Sequence, residues 1–151
     1  MTRTSAIGSC KCGQLRFELH APPLFTHACH CLDCRRRSGS AFGLSTIVLR
    51  RDFDLTSGAV ISNSTSPRTS VCQCSDCGTR IYSASTEFPA TYIVRGGAFD
   101  DPGVVEPGAH IWVKHKHPWI KLPDRVAQFA EEYNFREVWP AEALERLDLA
   151  T

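Results

Sequence analysis

The chain has 151 residues, of which 42% are hydrophobic, and its 17 Lys+Arg against 16 Asp+Glu leave a net charge of +1. That length suits one domain with a real core. A charge so near zero provides no global field to recruit nucleic acid or an anionic membrane, and no apolar run is long enough to cross a bilayer.

The first residues, Met1-Thr-Arg-Thr-Ser-Ala-Ile7, contain no apolar stretch of the kind a secretion signal needs. Eight cysteines fall below the density of a small disulfide scaffold. The expectation is a soluble, cytoplasmic protein whose thiols are reduced. All eight sit in three clusters, Cys10/Cys12, Cys29/Cys31/Cys34 and Cys72/Cys74/Cys77. Gaps of one and two residues suit chelation far better than disulfides.

In chain order, Gly8-Ser-Cys10-Lys-Cys12-Gly13 reads as a metal-holding turn, its glycines permitting the bend that brings two sulfurs onto one ion. Leu15, Phe17 and Leu19 alternate with Arg16, Glu18 and His20 as in a half-buried strand, which Pro22-Pro23 ends. Then comes the densest stretch of chemistry, Cys29-His-Cys31-Leu-Asp-Cys34-Arg-Arg-Arg37-Ser-Gly39-Ser40: three thiols, a basic patch and a small-residue turn. Three thiolates are one short of the four ligands zinc normally takes, the arrangement of a catalytic zinc with an open position.

Strands are expected at Gly43–Arg50, Phe53–Thr56, Ala59–Ser62, Thr79–Ser83, Thr91–Arg95 and His110–His115. Turns fall at Ser57-Gly58, Gly96-Gly97 and Asp100–Gly103, and loops at Asn63–Pro67 and Glu87–Pro89. Only the end reads as helical. Val126, Phe129, Ala130 and Tyr133 follow helix spacing behind Asp124 as N-cap, and Pro140 to Leu147 suggests a second short helix. The expected class is mainly β, with short C-terminal helices.

Eight thiols can make two closed four-cysteine sites, or one closed site and one open site with a thiol left over. Cys29-His-Cys31-Leu-Asp-Cys34 and Cys72-Gln-Cys74-Ser-Asp-Cys77 share one pattern, so spacing does not say which triad is open. The Cys12-Gly13 and Cys77-Gly78 ends, typical of paired zinc knuckles, favour Cys10, Cys12, Cys74 and Cys77 as the closed clasp.

Gly8–Gly13, Cys29–Phe42, Cys74–Thr79 and His110-Ile-Trp-Val-Lys-His-Lys-His-Pro-Trp119 together resemble the GFA family, named for the glutathione-dependent formaldehyde-activating enzyme. The resemblance runs from about Gly8 to Trp119. It implies a zinc-holding β-tent fold of short antiparallel sheets, shared with methionine-R-sulfoxide reductases and with nucleotide-exchange chaperones of Rab GTPases. One such domain would span residues 1–151, with a core over about 8–119 and a helical extension after 123.

The resemblance further implies two zincs. Cys10, Cys12, Cys74 and Cys77 would hold a structural one, and Cys29, Cys31 and Cys34 a catalytic one. Cys72 has no counterpart in the family motif. The implied activity is that of a carbon-sulfur lyase or synthase joining glutathione, or another small thiol, to an aldehyde, as in S-hydroxymethylglutathione.

Glutathione is anionic, so Arg35, Arg36 and Arg37 are candidates for its carboxylates, with Ser38 and Gly39 offering backbone N–H groups. A solvated basic face explains the arginines equally well, because three consecutive side chains cannot all face one pocket. His30 alternates out of phase with Cys29 and Cys31 and should point away from a metal. His27 is a candidate fourth ligand or proton carrier. His110, His115 and His117 read as packing or surface groups, and Asp33 and Asp76 as turn formers or orienters of ligands. The reading of a different class is a non-catalytic, zinc-stabilised β module that binds a protein partner. A redox-responsive thiol cluster centred on Cys72 is a third.

Overall fold

The structure, a computed structural model, describes residues 5–151; the expectation about the leading residues falls largely on 1–4, outside the described residues. The chain is mainly β. Strands β1 (Ala6–Ser9), β2 (Arg16–Leu19) and β5 (Phe53–Ser57) form a three-stranded antiparallel sheet in the order β1-β2-β5.

The second sheet has eight strands. They are β3 (Phe25–Cys29), β4 (Gly43–Leu49), β6 (Val60–Ser66), β7 (Thr69–Cys74), β8 (Arg80–Ser85), β9 (Thr91–Arg95), β10 (Ala109–Ile111) and β11 (Ala127–Gln128), in the order β11-β10-β3-β4-β9-β8-β7-β6. From β3 to β6 every pairing is antiparallel, whereas β10 runs parallel to both β3 and β11.

Alternation within the strands explains two separate apolar layers. Phe17 and Leu19 of β2 meet Val48, Ile81, Tyr82 and Val94 of the large sheet, with Phe17 stacked on Phe53 and edge-on to Phe99 at 5.2 Å each. A Cβ on Gly8 would lie 2.3 Å from both Phe17 Cζ and the Ala98 carbonyl oxygen, so β1 reaches this layer only as glycine. On the other face of β4, Ile47 and Leu49 join Leu24, Ala143 and Leu147. Covered on both sides, β4 is buried along nearly its whole length, its polar Thr46 hydroxyl bonded by that of Thr26 at 3.2 Å.

Helix α1 (Leu32–Ser38) was not foreseen in the sequence. The Cys31 Sγ caps it by accepting the Cys34 N–H at 3.3 Å, Asp33 lies in its first turn, the three arginines in its last, and Gly39 closes it at φ 64°. The helix α2 (Phe135–Val138) follows an Asn134 cap, and α3 (Ala141–Asp148) starts behind Pro140 as expected.

Three local expectations need correction. The helix expected over 124–133 is a turn at 124–126 followed by non-helical chain: the Phe129 N–H bonds the His110 carbonyl at 2.9 Å and the Trp112 N–H bonds the Glu131 carbonyl at 3.0 Å. Its apolar spacing is satisfied instead by Phe129 and Tyr133 packing ring to ring, 5.3 Å apart. The strand expected to run to His115 stops at Ile111, because Trp112 takes a left-handed φ of 55° and a 3-10 turn follows over Val113–His115. The loop expected at Asn63–Pro67 is mostly strand, an exposed polar edge paired to β7 through a register shift between Ser64 and Ser66.

A candidate metal centre of three cysteines beside a closed cluster of four

Two groups of thiols converge, each with its sulfurs within 4.8 Å of one another. The first joins the ends of the chain's early and middle thirds. Cys10 and Cys12 come from the turn after β1, Cys74 from the end of β7, and Cys77 from the turn that follows. Both knuckles close through glycines at positive φ, Gly13 at 79° and Gly78 at 72°.

The Cys10 and Cys12 sulfurs are 3.4 Å apart, and those of Cys12 and Cys74 are 3.9 Å apart. Zinc-sulfur bonds of roughly 2.3 Å in a tetrahedron put sulfurs about 3.8 Å apart, so this donor set fits zinc. The Leu15 N–H points at Cys10 Sγ at 3.3 Å, and the Thr79 hydroxyl lies 3.1 Å from Cys77 Sγ. Hydrogen bonds from Thr79 hold the Cys77 thiol down to about 5. The Lys11 N–H also bonds Thr79 Oγ1, tying the two knuckles together across 68 residues of chain.

The second group is Cys29 at the end of β3, Cys31 at the cap of α1, and Cys34 in its first turn. Cys29 is buried and the other two are half-buried. The neighbouring Cys29 thiol holds the Cys34 thiol down to about 6 against the opposing effect of burial, with Cys31 and the Arg95 guanidinium adding to it. The same closeness of the two thiols pushes Cys29 up. A Cβ on Gly43 would stand 3.3 Å from Cys34 Cβ, so β4 backs directly onto the triad.

Cys72 joins neither group. It is buried beside Tyr82 in the core between the sheets, so of the two triads with one spacing only the first has three sulfurs together with no fourth cysteine.

Cys29 and Cys31 open on a cavity of about 690 Å³. Its walls include His27, Ile111, Trp112, Tyr133, Phe135 and Trp139. His27 shares a strand face with Cys29, and burial pushes its imidazole down to about 4, leaving it neutral. Its Nδ1 lies 3.0 Å from the Tyr133 hydroxyl.

The remaining candidates are dispersed. His30 is fully buried with its Nε2 3.0 Å from His110 Nδ1, turned from the sulfurs as its phase required. Arg35 lies 3.1 Å from His117, whose ring stacks on Trp119; Arg37 pairs with Asp33 at 2.8 Å; Arg36 is exposed. The turn of α1 splays the three arginines as their adjacency demanded. Ser38 donates to the Cys34 carbonyl at 2.8 Å and Gly39 caps α1. His115 stacks on Trp112, and Asp76 accepts from Ser75. None of Arg35, Arg36, Ser38 and Gly39 lines the cavity at Cys29 and Cys31; Arg37 and Ser38 line a second cavity, also about 690 Å³, with Arg80 and Arg95. Tyr133, Phe135 and Trp139 were not singled out as site residues, and nothing local in the sequence marks them.

The family model described as "Glutathione-dependent formaldehyde-activating enzyme" matches residues 5–115. The crystal structure of a Rhodobacter sphaeroides protein is similar in fold, with a TM-score of 0.54 at 21% identity, covering 67% of this chain and 96% of that one. No curated protein matches the chain.

Proposed function

This chain belongs to the glutathione-dependent formaldehyde-activating enzyme family, and from that premise we propose that it is a zinc-dependent carbon-sulfur lyase or synthase acting on the adduct of a small thiol, glutathione among them, with a carbonyl compound. The observation that carries the reading is the unequal pair of clusters: four sulfurs together in one, three in the other with a cavity against them. In this reading Cys10, Cys12, Cys74 and Cys77 are a structural clasp, and Cys29, Cys31 and Cys34 are the catalytic ligands.

Cys29, Cys31 and Cys34 would hold the zinc, which when bound would lower the pKa of a substrate thiol or polarise a carbonyl oxygen. Forming the adduct makes one carbon-sulfur bond, opens the carbonyl π bond and moves the thiol proton to the new hydroxyl; cleavage reverses each change. His27, kept neutral by burial, and the Tyr133 hydroxyl bonded to it are the cavity groups suited to carry that proton. Helix α1 fixes Cys31 and Cys34 relative to each other through the capping bond. Arg35, Arg36, Ser38 and Gly39 remain the proposed contacts for glutathione's carboxylates, reached from α1 rather than from within the cavity.

The test is exchange between glutathione with formaldehyde and their adduct, followed by NMR with zinc-loaded protein. Acceleration that disappears in Cys31→Ser, with the variant still folded, supports the reading. No acceleration by the wild type with any thiol and carbonyl pair overturns it in favour of a binding module.

A further inference from the structure

The cavity at Cys29 and Cys31 is far larger than a one-carbon carbonyl requires. A two-heavy-atom aldehyde needs little more than the roughly 30 Å³ that a water molecule occupies in the liquid, against about 690 Å³ here. Its lining is also wrong for glutathione's carboxylates. The charged side chains on it are Glu87, Glu132, Arg136 and Asp148, and the one cation among them, Arg136, is already engaged by Asp148 through two hydrogen bonds at 2.8 and 3.3 Å. The rest is mostly ring and aliphatic surface.

One wall comes from outside the family's matched span. Tyr133, Phe135, Trp139 and Leu147 all lie beyond residue 115, the end of that match. They are locked rather than loosely draped. Tyr133 Oη accepts the Trp139 indole N–H at 2.9 Å, Trp139 stacks on Phe25 at 5.8 Å, and Leu147 is buried against Ile47 and Leu49. The part of the chain within the family match thus supplies the sulfurs, and the segment after it supplies an aromatic wall of the same cavity.

We propose that this C-terminal segment makes the chain specific for a thiol or thiol adduct carrying a bulky, uncharged aromatic or aliphatic group, which packs between Trp139, Tyr133 and the rim residue Phe88 while its sulfur reaches Cys29 and Cys31. The proposal rests on the thiol-adduct reading above and narrows its substrate class. Reaction at the sulfur is unchanged, and Trp139 and Phe88 act on binding alone.

The experiment compares two thiols of similar head group, 2-phenylethanethiol and 2-mercaptoethanol, binding to zinc-loaded protein by calorimetry. Burying a phenyl group in the cavity should make the first bind at least about tenfold tighter. Trp139→Ala should remove most of that preference; Phe88→Ala, at a residue 57% exposed and safe for folding, should reduce it. Equal binding of the two thiols, or a preference unchanged in both variants, overturns the proposal and leaves the thiol-adduct reading standing. If neither thiol binds, the thiol-adduct reading fails and this one with it.

Discussion

His27 and Tyr133 lie 106 residues apart in sequence and 3.0 Å apart in space, the tyrosine hydroxyl hydrogen-bonded to Nδ1 of a neutral imidazole. The same hydroxyl accepts the Trp139 indole N–H at 2.9 Å. One oxygen therefore ties the strand that carries Cys29 to the C-terminal segment. Tyr133→Phe removes it and leaves two half-buried polar atoms without that partner. The expected cost is about 1–3 kcal/mol in urea denaturation, with metal content unchanged.

Gly43 lies where a side chain would press on Cys34, its Cβ falling 3.3 Å from Cys34 Cβ and 3.7 Å from the sulfur. Gly43→Ala should displace one ligand of the triad and nothing of the clasp. In zinc-loaded protein, chelator competition should then empty the triad at roughly tenfold lower chelator concentration and leave the four-cysteine cluster unmoved. Equal weakening of both would mean that the two clusters are not independent.

Cys72 is buried in the apolar core and away from both groups of sulfurs. Replacing it with alanine should cost about 1 kcal/mol of stability through lost packing. Metal content, read by native mass spectrometry, should stay at the wild-type value. Loss of a zinc would place Cys72 among the ligands.

Asp148 is held below the ordinary carboxylate range by its hydrogen bonds from Arg136. A carboxylate depressed in the folded state stabilises the fold above its unfolded pKa, about 3.9, and that contribution is lost as pH falls through the folded value. The α2–α3 pairing should therefore be indifferent to pH between 5 and 8 and loosen below about 4. An NMR titration of the Asp148 carboxyl, with Asp148→Asn as the control that loses the acid dependence, checks both halves.

What the sequence revealed and what it hid follow from the range of the interactions. The alternation of Leu15, Phe17 and Leu19 is a local signal, and all three are buried. The Cys12-Gly13 and Cys77-Gly78 knuckles were legible because each glycine meets a local need for positive φ, and Cys10, Cys12, Cys74 and Cys77 lie together in the structure. Helix α1 was missed although Asp33 and Arg37 stand four residues apart and pair across one turn, because its cap is a cysteine rather than an ordinary capping residue. The segment 124–133 misled because apolar spacing does not say whether the partner is a helix's own neighbour or a strand brought in from residue 110. The aromatic wall could not be read at all: nothing near Tyr133 or Trp139 announces a histidine more than a hundred residues away.

The most direct measurement is zinc content with folding monitored in parallel, for the wild type, Cys31→Ser and Cys77→Ser. Two zincs are expected in the wild type, one for each cluster. Cys31→Ser should lose one and keep its far-ultraviolet circular dichroism, while Cys77→Ser should lose its fold along with the clasp. A Cys31→Ser protein that unfolds, or one that keeps both zincs, would contradict the assignment of Cys29, Cys31 and Cys34 as the open site.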